Sequence, residues 1–155
     1  MLEKQGQIPE THIACAVAGA EDIPQILELM DGYKAAIGEE PLAQAQKEAL
    51  AAAIEAGRIT FLLAKRGLRA AGMCSVCETF STFQCAPGGV FEDFYVLPAF
   101  RGEGVARRLA EAAFAHCSAH GIASLWVGCA DCDVELYKSL GFRIPLGRLL
   151  TWSGV

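Results

Sequence analysis

The residues best suited to bind a ligand lie in the segment RGEGVA at residues 101–106, which follows a predicted strand and opens a predicted helix. Two glycines let the backbone turn tightly and approach a ligand without a Cβ in the way. The helix behind them offers unpaired N–H groups and the positive end of its dipole to an anion. Arg101, Arg107 and Arg108 add positive charge within eight residues. The segment predicts a phosphate or diphosphate site; the alternative is a glycine-rich turn with a solvated basic first turn.

A second candidate site is the acidic pair Glu92 and Asp93, inside the otherwise apolar run VFEDFYV at residues 90–96. A carboxylate can attract a cationic amine and accept its proton, directly or through water, which leaves a neutral nucleophile. Because adjacent residues of a strand point to opposite faces, only one of the two faces a cleft unless a β-bulge re-aims the other. The alternative for this pair is a charged strand end, since acids are depleted in strand interiors.

Three other kinds of site, a dinucleotide-binding fingerprint, a P-loop and a zinc site, do not fit this sequence. A dinucleotide-binding fingerprint requires glycine or alanine where Arg107 stands, and a P-loop requires a Gly-Lys-Ser/Thr sequence that the chain lacks. The pairs Cys74/Cys77 and Cys129/Cys132 have the spacing of zinc ligands, but the first pair lies in a strand-like run, where residues three apart face opposite ways. We therefore predict no metal site.

The elements that must position these residues follow from apolar periodicity and from breaks at glycine and proline. The predicted strands are residues 12–17, 59–65, 68–83, 90–96 and 123–129, with one or two more within 143–152. The predicted helices are one opening at residues 21–24, and those at 41–56, 105–120 and 131–140; residues 31–40 and 85–89 are predicted breaks.

This order predicts an α/β fold with helices on both faces of a mixed, mostly antiparallel twisted sheet of six or seven strands. Consecutive strands in the middle of the chain are joined as hairpins and are expected to be antiparallel. The strand, helix and strand within residues 90–129 are expected to form a parallel unit.

Composition narrows the class of protein. The 155 residues suit one domain, predicted at residues 12–155 behind a polar tail at 1–11. A net charge of −5 argues against nucleic-acid binding, and the apolar runs are shorter than the ~20 residues that span a bilayer. The start of the chain lacks a signal-peptide pattern, and several of the seven cysteines lie within apolar runs such as AAGMCSVC and LWVGC. These features predict a cytoplasmic protein with reduced cysteines and no membrane partner.

The segment VFEDFYVLPAFRGEGVARRLAEAAF resembles the acetyl-CoA-binding motif of the GNAT family of N-acetyltransferases, and ELYKSLGF at residues 135–142 is similar to that family's segment near the C-terminus. The resemblance covers residues 13–152, and the acidic run makes it most similar to the diamine and polyamine acetyltransferase branch. It implies the GNAT fold, acetyl-CoA as co-substrate, a small primary amine as acceptor, direct transfer in a ternary complex and a possible homodimer.

The resemblance also implies roles for individual residues. Tyr137, which helical spacing alone favours as a core residue, would protonate the departing CoA thiolate, with Glu92 and Asp93 near the amine. Many relatives have an asparagine seven residues before this tyrosine, where this chain has Ala130, so that contact to pantetheine is missing. The backbone of Tyr95, Val96 and Leu97 would pair with pantetheine. The diphosphate would be held by backbone groups of Arg101, Gly102, Glu103, Gly104, Val105 and Ala106, and Arg107 is the remaining implied cofactor-binding residue.

Two alternatives to a small-amine acetyltransferase stay open at this point. One is a binding module of the same fold that retains acyl-CoA without catalysis, which the alanine at position 130 favours slightly. The other is acetylation of a protein N-terminus or lysine, since the loops expected to select the acceptor, residues 31–42 and 79–89, carry no motif.

Overall fold

A computed structural model describes residues 12–154, so the predicted tail at residues 1–11 lies outside the described part of the chain. Within residues 12–154, five strands and four α-helices form. None of these helices is both long and apolar enough to cross a bilayer. The strands are β1 (Ile13–Val17), β2 (Thr60–Arg66), β3 (Arg69–Ser81), β4 (Ala86–Val96) and β5 (Ser124–Trp126). The helices are α1 (Ile23–Ala36), α2 (Gln44–Glu55), α3 (Val105–Ala119) and α4 (Val134–Leu140).

The strands form one mixed sheet in the order β1-β2-β3-β4-β5. Neighbours from β1 to β4 are antiparallel, and β5 joins β4 in parallel, as the sequence predicts. Side chains alternate along β2 and bury both faces of the sheet: Leu62 and Ala64 pack in the cluster of α3, whereas Phe61 and Leu63 pack in the cluster of α1. The predicted α/β class, with helices on both faces, is therefore confirmed.

Helix α3 holds the glycine-rich loop in place because its inner stripe is fully buried. Leu109 and Ala113 are completely buried, and Cys117 lies one turn further along the same face. Val105, the first residue of the helix, is 1% exposed, so the N-terminus is fixed against the sheet as firmly as the rest of α3. Packing of α3 thus determines where the loop at residues 101–104 stands.

Truncating the centre of this stripe is expected to destabilise the fold. Leu109→Ala removes a fully buried side chain and leaves a cavity, so the free energy of unfolding should fall by about 2–5 kcal/mol. Leu68→Ala is the matched control, because Leu68 is 93% exposed in the β2–β3 turn, and its expected cost is below about 0.5 kcal/mol. Urea denaturation measures both, and equal losses in the two variants would contradict this account of the core.

The predicted strand count of six or seven is wrong for the described residues. Residues 143–154 form no strand or helix, although strands were predicted within 143–152. Pro145 has no N–H to give to a ladder, and Gly147 has a φ of 98°, which interrupts extended backbone. Strand β5 is also shorter than the predicted 123–129 and offers only three paired residues.

Two predicted breaks are shorter than expected because their glycines permit close packing. Helix α1 runs through the predicted loop to Ala36, and a Cβ at Gly32 would lie 3.3 Å from the ring of Tyr95. Strand β4 begins at Ala86, and a Cβ at Gly89 would lie 3.0 Å from the side chain of Leu125. At both positions glycine lets a neighbouring element approach and does not end the element that contains it.

Candidate active site

The candidate site begins where β4 and β5 part. Their parallel ladder runs only from Gly88 opposite Ser124 to Val90 opposite Trp126. Strand β4 then continues to Val96 without pairing to β5, so the backbone on that side of β4 is open. The sheet thus contains a wedge between two strands, into which an extended ligand can be inserted.

A β-bulge lies at the mouth of this wedge. In the pairing of β3 with β4, Met73 is opposite Tyr95 and Ser75 is opposite Glu92. Two residues of β4, Asp93 and Phe94, therefore stand against one residue of β3. Asp93 has a φ of 50°, a left-handed conformation that is uncommon outside glycine. The extra residue redirects the side chains that follow it.

The bulge turns both acids of the pair to the same face of the sheet. The Ser75 hydroxyl donates a hydrogen bond of 3.0 Å to Asp93 Oδ2, and the Cys77 thiol lies 3.7 Å from Glu92 Oε2 as a donor. Ser75 and Cys77 are two residues apart on β3 and so share a face. Adjacent strand residues normally point to opposite faces, but the β-bulge re-aims one of this pair, so Glu92 and Asp93 lie on the same face.

These acids border a pocket of about 280 Å³. Tyr33 from α1 and Tyr137 from α4 reach the same pocket. The remaining walls are formed by Phe91, Phe94, Val127 and Gly128. The structure therefore brings together, around one pocket, all three side chains predicted to take part in chemistry.

Burial changes the acid–base properties of two of these groups. Burial raises the pKa of Asp93, and the nearby charge of Glu92 raises it further, while the hydrogen bond from Ser75 acts in the opposite direction. Burial likewise raises the pKa of Tyr137 to about 12, with a smaller contribution from Tyr33. Asp93 is thus a stronger base than an ordinary carboxylate, and Tyr137 keeps its proton at neutral pH.

Aromatic packing fixes the ring of Tyr137. Its centroid lies 5.9 Å from that of Phe142, 6.1 Å from Phe94 and 6.5 Å from Phe91. Tyr137 therefore makes the core contacts that its helical spacing predicts, and it also lines the pocket. A residue held from three sides can keep its hydroxyl at one place.

The glycine-rich loop forms a second pocket of about 320 Å³. Gly102 and Gly104 have φ values of 80° and 77°, and a Cβ at either would meet no described atom within 4 Å. The first hydrogen bond of α3 runs from the Arg108 N–H to the Gly104 carbonyl, at 3.1 Å, so the preceding N–H groups have no partner within the helix. This open cradle of N–H groups fits a diphosphate.

Helix α4 stands between the two pockets. Tyr137 faces the acidic pocket, while Leu136, Ser139 and Leu140 line the loop pocket. The loop pocket is completed by Val96, Phe100, Arg101, Gly102, Gly104, Val105, Ala106 and Arg107. A molecule with its anionic end in the loop pocket can therefore extend along β4 toward the acids.

The three residues predicted to pair with pantetheine, Tyr95, Val96 and Leu97, differ in whether their backbone N–H and C=O groups face β3 or the open side of β4. The Leu97 N–H donates to the Ala71 carbonyl at 2.9 Å and so faces β3. Because backbone groups alternate along a strand, those of Val96 face the open side. The Val96 carbonyl accepts a hydrogen bond of 3.1 Å from Arg101 Nε. Tyr95 is buried, and its ring lies 5.9 Å from that of Tyr33. Val96 is the residue best placed to pair with an added ligand.

Sequence reasoning missed Tyr33 and Ser75. Tyr33 falls in the predicted break at residues 31–40, although Ile26, Met30 and Tyr33 continue the helical spacing past Gly32. That spacing is a signal that identifies Tyr33 as a helical residue. Ser75 is completely buried, and its link to Asp93 depends on the register of β3 against β4, for which no local signal exists.

The two cysteine pairs differ in exposure. Cys74 is completely buried in the core, whereas Cys129 and Cys132 are exposed. Within residues 12–154, no group of three or more His, Cys, Asp or Glu side chains is arranged to hold a metal ion.

Comparison with known proteins gives a family and a fold. Residues 21–146 match the family model described as acetyltransferase (GNAT) domain. No curated protein sequence matches this chain.

Solved structures have the same architecture at low sequence identity. A probable acetyltransferase has a TM-score of 0.78 and 20% identity, covering 93% of this chain and 99% of its own. An aminoglycoside acetyltransferase from an uncultured soil metagenomic sample, in complex with sisomicin, has a TM-score of 0.81 and 12% identity, with 92% and 96% covered. A predicted acetyltransferase from Clostridium acetobutylicum, with acetyl-CoA, has a TM-score of 0.74 and 14% identity, with 90% and 96% covered. At these identities the likeness establishes the fold.

Proposed function

The chain belongs to the acetyltransferase (GNAT) domain family, and we propose that it moves an acetyl group from acetyl-CoA to a primary amine of a small molecule, by direct transfer in a ternary complex. The observation that carries this proposal is the pair of pockets on either side of α4, one suited to a diphosphate and one lined by acids. The open edge of β4 connects them. In this arrangement acetyl-CoA would occupy the loop pocket and the edge of β4, and the amine would occupy the acidic pocket, where it meets the thioester.

Acetyl-CoA would bind along the loop and the open edge of β4. The N–H groups of residues 102–107 would hold the diphosphate, with Arg101 and Arg107 adding positive charge. The Arg101 N–H is not among them, because it donates to the Pro98 carbonyl at 3.3 Å. Val96 would pair with the pantetheine amides as an added strand does. The acetyl-CoA in the structurally similar clostridial protein supports this choice of co-substrate.

The acceptor would be a cationic primary amine, with a diamine, polyamine or basic amino acid as the expected class. Two carboxylates in a partly desolvated pocket attract an ammonium group. Asp93, with its raised pKa, would take the proton from the amine, while the exposed Glu92 would attract and orient the cation. The aminoglycoside acetyltransferase solved with sisomicin supports a small, basic acceptor.

Chemistry would proceed from these positions without a metal. The neutral amine nitrogen attacks the thioester carbonyl carbon, and collapse of the tetrahedral intermediate breaks the carbon–sulfur bond. The Tyr137 hydroxyl would give its proton to the departing thiolate, and the proton that the nitrogen loses as it becomes an amide would return to the Tyr137 oxygen. Asp93 would pass the proton taken from the ammonium group to solvent. The burial that raises the pKa of Tyr137 would also raise that of a thiol leaving into the same cleft, so burial shifts the pKa values of donor and acceptor in the same direction.

Removing either carboxylate charge is expected to slow transfer in a pH-dependent way. Glu92→Gln and Asp93→Asn keep shape and remove charge, so turnover should fall most near neutral pH, where the amine is protonated, and less at high pH, where free amine is abundant. Wild-type turnover should decline as pH falls through the raised pKa of Asp93, because a protonated base accepts nothing. That acidic limb should be absent from Asp93→Asn. Thiol release across a panel of amines and pH values measures these profiles.

The same panel separates the proposal from its alternatives. Efficient transfer only to a peptide N-terminus, a peptide lysine or an uncharged amine, with both variants fully active, would refute the roles given to the acids. A chain that binds acetyl-CoA and releases no thiol with any amine would be a non-catalytic acyl-CoA-binding module, which Ala130 favours. A cytoplasmic location and a homodimer stay predictions from the sequence.

A further inference from the structure

The loop proposed to bind a diphosphate contains an acid. Glu103 stands between Gly102 and Gly104 and is the only negatively charged residue in the segment at residues 101–107. A free carboxylate at this position would repel the diphosphate of acetyl-CoA and offset part of the attraction from the neighbouring arginines. Tight binding of the diphosphate therefore requires that the Glu103 carboxylate be neutralised or held away from it.

Arg66, at the end of β2, forms an ion pair with Glu103 through its Nη2 atom. Its guanidinium carbon also lies 4.8 Å from the centre of the Phe100 ring, and Phe100 is buried in the short turn that precedes the loop. The guanidinium is thus held between a ring and a carboxylate. This geometry directs the Glu103 side chain toward the β2–β3 hairpin.

Two of the three arginines nearest in the sequence to Glu103 donate hydrogen bonds to backbone carbonyls elsewhere. Arg101 donates to the Val96 carbonyl through Nε, and Arg108 donates to the Ile13 carbonyl through Nη1 at 3.3 Å. Within residues 12–154, the ion pair of Glu103 is with Arg66. Arg66 therefore supplies the charge that compensates this acid.

We propose that Arg66 is a positioning residue for acetyl-CoA: it neutralises Glu103 and holds its carboxylate out of the diphosphate site. Arg66 acts through Glu103 and does not itself touch the ligand. The inference rests on the proposed function, because it requires that residues 101–107 bind acetyl-CoA. Its distinctive consequence is that loss of Arg66 harms binding only while Glu103 is charged.

Calorimetry with acetyl-CoA on three variants tests this inference. Arg66→Met is expected to weaken binding about tenfold, because Glu103 then lies unpaired beside the diphosphate. The double variant Arg66→Met with Glu103→Gln is expected to bind within about threefold of the wild type, since the repulsion is gone. Arg69→Met is the matched control: Arg69 lies in the same hairpin, 5.7 Å from the Phe100 ring, and its loss changes net charge equally.

Each outcome decides between explanations. A double variant as weak as Arg66→Met would overturn the inference, because Arg66 would then act directly on the ligand or on the fold. Unchanged binding in Arg66→Met, or an equal loss in Arg69→Met, would overturn it as well. Failure of the wild type to bind acetyl-CoA would refute the proposed function itself, which is a different result from any of these.

Discussion

Gly104→Asp is expected to abolish acetyl-CoA binding. The loop leaves open space around Gly104, so an added carboxylate would occupy the place proposed for the diphosphate and repel it. Each such like-charge contact costs on the order of 1–3 kcal/mol at a partly buried site. The fold should survive, because aspartate tolerates the left-handed conformation better than most residues and is favoured at helix N-caps.

Two controls separate charge from backbone strain in this experiment. Gly104→Asn has the same shape without the charge and should retain more affinity than Gly104→Asp. Gly121→Asp places the same residue at another left-handed glycine, with φ of 68° and open surroundings beyond the opposite end of α3, and should bind normally. If a folded Gly104→Asp protein binds acetyl-CoA with unchanged affinity in calorimetry, the loop does not bind the diphosphate.

Tyr137→Phe is expected to lower kcat about 100-fold, typical of a lost general acid, while acetyl-CoA affinity stays nearly the same. The phenylalanine ring keeps the contacts with Phe91, Phe94 and Phe142, so only the phenol hydroxyl is lost. Steady-state kinetics with kcat and KM determined separately measures the effect.

Tyr33→Phe is the comparison for this variant, because it removes the other tyrosine hydroxyl of the same pocket. Tyr33 has no assigned proton transfer, and its loss should cost less than about tenfold in kcat. Wild-type turnover in Tyr137→Phe would leave Tyr137 with a packing role only. Equal losses in both variants would point to pocket polarity as the cause.

Local features of the sequence were sufficient to predict the glycine-rich loop and the helix that follows it. Gly102, Gly104 and the arginines around them act through backbone conformation and charge, and these depend on a few consecutive residues. The apolar stripe of α3 was visible for the same reason, since helical spacing is a local property. The antiparallel middle of the sheet followed from its tight turns.

Features that depend on distant partners were not predictable in the same way. The bulge that aims Glu92 and Asp93 to one face arises from the register of β3 against β4, which no single segment specifies. A glycine such as Gly32 predicts a break when only its sequence neighbours are considered. Its actual role is to let Tyr95 pack closely, and Tyr95 is far away in the chain. The apolar residues at 143–152 suggested strands, but Pro145 and Gly147 interrupt extended backbone within them.

The central claim is that this chain catalyses transfer, and amine-dependent thiol release by the wild-type protein tests it most directly. Acetyl-CoA is supplied at saturating concentration with a diamine, a polyamine or a basic amino acid, and both free CoA thiol and acetylated amine are quantified. The account predicts equal amounts of the two products, at a rate that depends on the amine and that drops about 100-fold in Tyr137→Phe. Tight binding of acetyl-CoA with no thiol release above the amine-free rate, for every amine and peptide supplied, would contradict it.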